Sequence, residues 1–263
     1  MTDADRPEAE DVAYDGLADV YDWLVPEALL TPEGTVAAFS GLVALPPGGR
    51  VLDCACGIGQ LAVGLALLGL DVVASDASPA MVQRTAQLAA DHGVEIPAVT
   101  CAWEDLTPER VGDSFDAVFC VGNSLTHAPG REARRAALAA MASVLHADGL
   151  LVLTSRNWER QRSRGSGLEI ADELVERHGR AGLVVYNWTI PEPWNAPHFL
   201  DVAVALIDPS GQATTTAERL SFWPFTHTDL DEDLRQTGFT PESSTYTDDV
   251  DRYLVTARRS AAR

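Results

Sequence analysis

Asp53 stands four residues before Gly57 and six before Gly59, and a second acid, Asp76, follows about twenty residues on. Glycines at that spacing let the backbone turn sharply and let a ligand approach the main chain. A helix opening just beyond them offers free N–H groups. Gly57-x-Gly59-x-x-Ala62 also fits the dinucleotide fingerprint, and an ordinary strand-to-helix turn would look the same. A carboxylate at Asp53 suits a cationic ligand group and repels a pyrophosphate. Asp76 can accept both hydroxyls of a ribose, which a nicotinamide cofactor would also require.

A second set of residues could handle an acceptor. Arg156 can bind a carboxylate through two parallel hydrogen bonds, or it can be a surface residue in the run with Arg160, Arg162 and Arg164. Asn123 can orient an amine or a carboxylate, and can equally cap a turn. His127 has the ring to act as a base near neutral pH, or to secure a loop. Trp103 and Tyr21 are candidate walls for a ring-bearing ligand. Trp188, Trp194, Phe199, Trp223 and Phe225 are expected in the core, with some of them, and Tyr186 and His198, bordering an acceptor pocket.

Alternating apolar runs and helical patterns must position these groups. Strands are expected at Arg50–Ala55, Asp71–Ser75, Ala98–Ala102, Phe115–Val121 and Leu150–Ser155. Helices are expected at Val12–Val25, Thr35–Val43, Gly59–Leu68, Ser78–Asp91 and Arg131–Leu145. That alternation implies a parallel sheet covered on both faces, with ligands at the carboxyl ends of its strands. Asn157 to Gly167 is rich in Arg and Ser. Glu169–His178 reads as a short helix. Leu183–Ile190, His198–Ile207 and Thr214–Trp223 read as an antiparallel meander. Thr228–Gln236 returns to helix, and Phe239–Tyr246 and Arg252–Arg258 close the chain as strands.

Composition narrows the chemistry. The chain has 263 residues, 46% of them hydrophobic, and a formal net charge of −20. Such a charge disfavours nucleic acid and anionic membranes, so a small-molecule partner is expected. All 19 basic residues are Arg. Schiff-base catalysis and a P-loop, which need a lysine, are excluded. Cys54, Cys56, Cys101 and Cys120 lack zinc-site spacing, so no metal is expected and reduced thiols in the cytoplasm are. No stretch has the length and apolarity of a membrane span or a signal peptide, and residues 1–11 read as a flexible tail. Self-association into a homo-oligomer stays open.

Val51-Leu-Asp-Cys-Ala-Cys-Gly-Ile-Gly59 resembles the first motif of class I S-adenosylmethionine-dependent methyltransferases, and Ser75-Asp-Ala-Ser-Pro-Ala-Met81 their second. Tyr14-Asp-Gly-Leu-Ala-Asp-Val-Tyr-Asp22 is similar to an N-terminal helix that covers the cofactor. Phe115-Asp-Ala-Val-Phe-Cys-Val-Gly-Asn-Ser-Leu-Thr-His127 and Ser155-Arg-Asn-Trp-Glu159 are similar to glycine and glycine/sarcosine N-methyltransferases. The resemblance implies an α/β fold, a Rossmann-like, mostly parallel sheet whose last strand is antiparallel, with an antiparallel β insertion. It implies a methyltransferase core at 12–156 and 224–263 and a substrate-side insertion at 157–223.

For the site, the resemblance implies that Asp53, Gly57, Gly59, Asp76, Met81 and Trp103 contact S-adenosylmethionine, with Ala55, Ala77, Glu104 and Cys120 beside them and Tyr21 near its methionine end. It implies that Asn123, His127 and Arg156 face the acceptor, Arg156 holding a carboxylate. Where the family has Asp or Asn before the tryptophan, this chain has Ala102, so Glu104 or Asp105 is expected to take the adenine contact. The implied activity is N-methylation of a small amine or amino acid. O- or C-methylation of a specialised metabolite, and a non-catalytic S-adenosylmethionine-binding module, stand as alternatives.

Overall fold

The computed structural model describes residues 13–39, 45, 48–170 and 174–260. The tail expected at 1–11 and the end of the helix expected at Thr35–Val43 lie outside them.

Seven strands form one sheet: β1 (Arg50–Asp53), β2 (Asp71–Asp76), β3 (Ala98–Thr100), β4 (Phe115–Cys120) and β5 (Leu145–Arg156), with two more from the chain's end. The order is β3-β2-β1-β4-β5 and then the two late strands, and the first five are mutually parallel. The next strand, Arg252–Arg259, runs antiparallel to β5, and Phe239–Ser244 closes the edge beside it. The expected mostly parallel sheet with an antiparallel last strand is therefore present.

Residue alternation divides the core between the two faces. Leu52, Val118, Leu151 and Leu153 pack with Leu138 and Met141. Val51, Ala117, Phe119 and Val152 pack with Leu61, Ala62 and Leu65. The helices on these faces are α1 (Pro32–Phe39), α2 (Gln60–Leu67), α3 (Pro79–Asp91), the short α4 (Pro108–Val111) and α5 (Gly130–Val144). Ser78 caps α3 as expected, its hydroxyl accepting from the Met81 amide at 3.1 Å.

Three local expectations change. Asp15–Trp23 is helical in the tight 3-10 form. Residues 158–164, left without an element, form α6 (Trp158–Arg164), capped by the Asn157 side chain, which accepts from the Arg160 amide at 3.0 Å. The helix expected at Glu169–His178 is replaced by β6 (Gly167–Ile170) and β7 (Val175–Arg177). Arg177 pairs with Arg180 across His178 and Gly179, whose φ values of 52° and 72° make the two-residue turn of a hairpin. That turn ends the segment as a strand and excludes the helix.

A second, antiparallel sheet follows, with β8 (Arg180–Thr189), β9 (His198–Ile207) and β10 (Ala213–Phe222) joining β6 and β7. After it come α7 (His227–Gln236), then β11 (Phe239–Ser244) and β12 (Arg252–Arg259) of the first sheet. Along β9 burial alternates, so one face is dry. On that face lie Leu17, Val20 and Trp23 of the N-terminal 3-10 segment, together with Trp158. Gly182 of β8 makes room for this segment: a Cβ there would stand 2.2 Å from Trp23 Cδ1. Among the described residues, no helix is long and apolar enough to cross a membrane.

Trp158 of α6 packs on the second sheet. It is fully buried, and its ring meets those of Trp188 at 6.2 Å, His198 at 5.7 Å and Phe222 at 5.5 Å. Truncation to Ala leaves a cavity that rigid strands cannot close. Trp158→Ala is expected to cost about 3–5 kcal/mol, read from the urea midpoint of unfolding.

Candidate active site

The strand order reverses between β1 and β4, so the crevice at their carboxyl ends is where ligands bind in sheets of this type. β1 hands its pairing to the loop. The Cys54 amide donates to Phe119 O at 2.9 Å and the Cys56 amide to Ser75 O at 3.0 Å. Gly57 and Gly59 then adopt φ of 52° and 86°. At Gly59 a Cβ would meet Thr85 Cα at 2.8 Å, so the glycine is needed for close helix packing. At Gly57 nothing lies within 4 Å of a Cβ position, which leaves the main chain open to a ligand.

Asp76, at the end of β2, fixes this loop. Its carboxylate accepts from the Gly57 amide at 2.9 Å and from the Ser78 amide at 3.0 Å. Burial raises its pKa, and the amides of Ser78, Gly57 and Ala77 act against that rise. Asp53 is 1% exposed, and its Oδ1 has no partner among the described residues. Burial pushes its carboxyl up to about 7. The Ala55 amide opposes the rise and the nearby Asp76 adds to it. A buried carboxylate without a counter-charge is costly, and a ligand's ammonium would relieve that cost. The donor set therefore fits a cofactor with a cationic amino-acid end.

Around this loop stand three of the other expected residues. The Trp103 indole N–H donates to Cys54 O at 2.9 Å, so its ring flanks the turn. Met81 is buried with Ile58 and Ala18, and Tyr14 and Tyr21 pack on them. Burial is the main reason the Tyr21 pKa rises, and the Asp76 charge is the next. Glu104 and Asp105 are exposed in a 3-10 turn, and the Cys120 side chain is buried in the main core with its thiol toward Cys54. Ala77 is exposed and Ala55 half-buried.

The expected acceptor residues gather at the ends of β4 and β5. Asn123, at φ 74°, is buried, and its Oδ1 accepts from the Arg156 amide at 2.8 Å. That bond ties the two strand ends and commits the amide oxygen to positioning Arg156. The Arg156 guanidinium donates to Gln161 Oε1 at 2.8 Å and lies 5.2 Å from the Trp188 ring centroid. Burial, followed by repulsion from Arg252, lowers its pKa to about 10, so it stays charged at neutral pH.

His127 Nδ1 is 2.9 Å from Ser221 O, so Nδ1–H donates and the neutral ring keeps its lone pair on Nε2. The ring lies 5.4 Å from Tyr14 and 4.7 Å from Phe222. Burial pulls its pKa down to about 4.

Sequence reasoning assigned no role to Tyr14, Phe222 or Arg252. Tyr14 falls inside the N-terminal motif, and its left-handed backbone, φ 68°, is held by Glu218 of β10, which accepts from the Tyr14 amide at 2.7 Å. Phe222 shares the apolar spacing of β10, which could have signalled it. Arg252 carries no local signal at all.

If Asp53 meets an ammonium, binding must ionise it. In calorimetric titrations with S-adenosylhomocysteine at pH 6, buffers of different ionisation enthalpy should reveal release of close to one proton, because a pKa of about 7 leaves the unliganded carboxyl mostly protonated there. Asp53→Asn should abolish that release and weaken binding.

Residues 51–149 match the family model of a methyltransferase domain. Over 110 residues the chain is 38% identical to a glycine/sarcosine N-methyltransferase of Aphanothece halophytica, an alignment covering 42% of this chain and 41% of that protein. It is 35% identical over 169 residues to the glycine N-methyltransferase of Homo sapiens, covering 55% of this chain and 57% of that one. The chain thus spans about half the length of the curated relatives it matches. A solved structure of an S-adenosylmethionine-dependent methyltransferase from Clostridium acetobutylicum shares the fold, with a TM-score of 0.74 over 94% of this chain and 99% of that chain at 14% identity. Residues 51–149 thus carry a methyltransferase domain, in a chain that is similar in sequence to glycine and glycine/sarcosine N-methyltransferases and in fold to a solved S-adenosylmethionine-dependent methyltransferase.

Proposed function

We propose that the protein moves a methyl group from S-adenosylmethionine to the nitrogen of a small amine that also carries a carboxylate, glycine and sarcosine being the simplest. One observation carries this reading. Arg156 is a half-buried cation that forms no ion pair among the described residues and packs against the Trp188 ring. The glycine and glycine/sarcosine N-methyltransferases among the relatives support it.

Bound S-adenosylmethionine supplies an electrophilic sulfonium methyl, which the acceptor's nitrogen lone pair takes while the sulfur keeps the bonding pair. The chain's task is alignment and exclusion of water. Asp53 meets the donor's ammonium, Asp76 its ribose hydroxyls, and Trp103 borders its adenine. Arg156 grips the acceptor carboxylate, and His127 Nε2 accepts the amine N–H so that the lone pair faces the methyl. With its pKa near 4, His127 orients the amine and does not store its proton at neutral pH. The acceptor ammonium must therefore lose its proton to solvent. The four cysteines are free and buried, which accords with a reducing, cytoplasmic setting.

A second reading has support from the rings of Tyr14, Trp188 and Phe222 around Arg156 and His127. These could flank a bulky scaffold methylated on oxygen or carbon.

Arg156→Ala should raise the KM for glycine at least about tenfold, the value of one lost charge-assisted pair. An unchanged KM removes its role. At saturating donor, kcat/KM for glycine should climb with pH toward the amine's own pKa, without a break between pH 6 and 7. Such a break would mean that His127 titrates there as a base. Turnover of a bulky scaffold, with none of glycine or sarcosine, would favour the second reading.

A further inference from the structure

Arg252 opens β12, and its register partner is Arg156, the last residue of β5. Directly opposed residues of antiparallel strands send their side chains to one face with Cβ atoms about 5 Å apart, and like charges placed so repel. That repulsion, after burial, is felt by Arg156.

Neighbouring charges in this corner are neutralised. Asp251 lies 2.8 Å from Arg160 and 2.5 Å from Arg164. Elsewhere Asp233, fully buried, takes Arg131, Arg134 and Arg135 at once. Among the described residues, by contrast, neither Arg156 nor Arg252 forms an ion pair. In a chain with 39 acidic residues against 19 arginines, the half-buried Arg156 and the exposed Arg252 stand opposed without an ion pair among the described residues.

The surroundings suit an anion. The field of Arg252 reaches the phenols of Tyr14, Tyr21 and Tyr186, and that of Arg156 reaches Tyr14 and Tyr186. The acid that bears on the pair, Glu169 of β6, is exposed and acts on Arg156 and Tyr186 without an ion pair.

We infer that the acceptor pocket is built for two units of negative charge: its amine carries a second anionic group, carboxylate or phosphate, held by Arg252 beside the carboxylate on Arg156. The inference rests on the amine-methylating reading above, and it narrows the acceptor from glycine-like amines to acidic ones.

Two measurements test it. With wild-type protein, kcat/KM for L-aspartate or O-phospho-L-serine should exceed that for glycine at least about tenfold, one charge-assisted pair being worth that much. The better of the two identifies the second group. Arg252→Gln should collapse this preference, and Arg252→Lys should restore part of it. Binding is read without turnover by titrating succinate and propionate into the complex with S-adenosylhomocysteine. Succinate should bind at least about tenfold tighter, and Arg252→Gln should erase the difference. Equal binding of the two acids overturns the inference. So does an Arg252→Gln variant that loses affinity for S-adenosylhomocysteine while keeping the preference, since the arginine would then serve the donor's carboxylate. If no amine is methylated yet succinate binds preferentially, the amine reading fails and the two-charge pocket stands.

Discussion

Charge separation along one edge of the first sheet is the constraint on which the site depends. Asp53 and Asp76 end β1 and β2, while Arg156 and Arg252 stand at the same edge on β5 and β12. Two strand spacings, each about 4.8 Å, separate the strand of Asp53 from that of Arg156, which also lies four residues beyond Asp53's register partner Val152, and four spacings separate the strands of Asp76 and Arg252. Too distant to neutralise each other, Asp53 and Arg156 are both pushed toward their uncharged forms by burial, to about 7 and about 10. A ligand pair with the complementary pattern, a cation toward β1 and an anion toward β5, relieves both. In the proposed reading, the fold sets which way round the two reactants lie before either is bound.

Precision in that edge comes from short ties between strand ends. Asp76 joins the β2 end to the glycine turn, Asn123 joins the β4 end to Arg156, and Trp103 joins the β3 side to Cys54. Each is a single side chain reaching a backbone group, so loop geometry follows from strand register. The covering layer rests on different physics. The 3-10 segment, Trp158 and the dry face of the second sheet form one apolar cluster with few polar ties, held by burial and ring contacts.

What was legible in the sequence follows that division. Asp53, Gly57, Gly59, Asp76, Asn123, His127 and Arg156 each sit at the end of an apolar run, so linear position gave their place on the edge. The hairpin at His178–Gly179 was hidden because a histidine at positive φ is not a usual turn signal. The Arg- and Ser-rich stretch concealed α6, although Asn157 before Trp158 was a usable cap. Arg252 could not be read at all. Its meaning comes from pairing with Arg156 across about a hundred residues, and register between distant strands has no local trace.

The fit of Trp23 against Gly182 bears on how such a protein can diverge. No room exists at that contact for even a methyl group on the sheet, so the indole and the missing side chain are a matched pair drawn from segments some 160 residues apart. Drift at either position alone is penalised, and the N-terminal segment and the second sheet are bound to be inherited together. Recombination that swapped the second sheet between lineages would have to carry the N-terminal segment through Trp23 along with it.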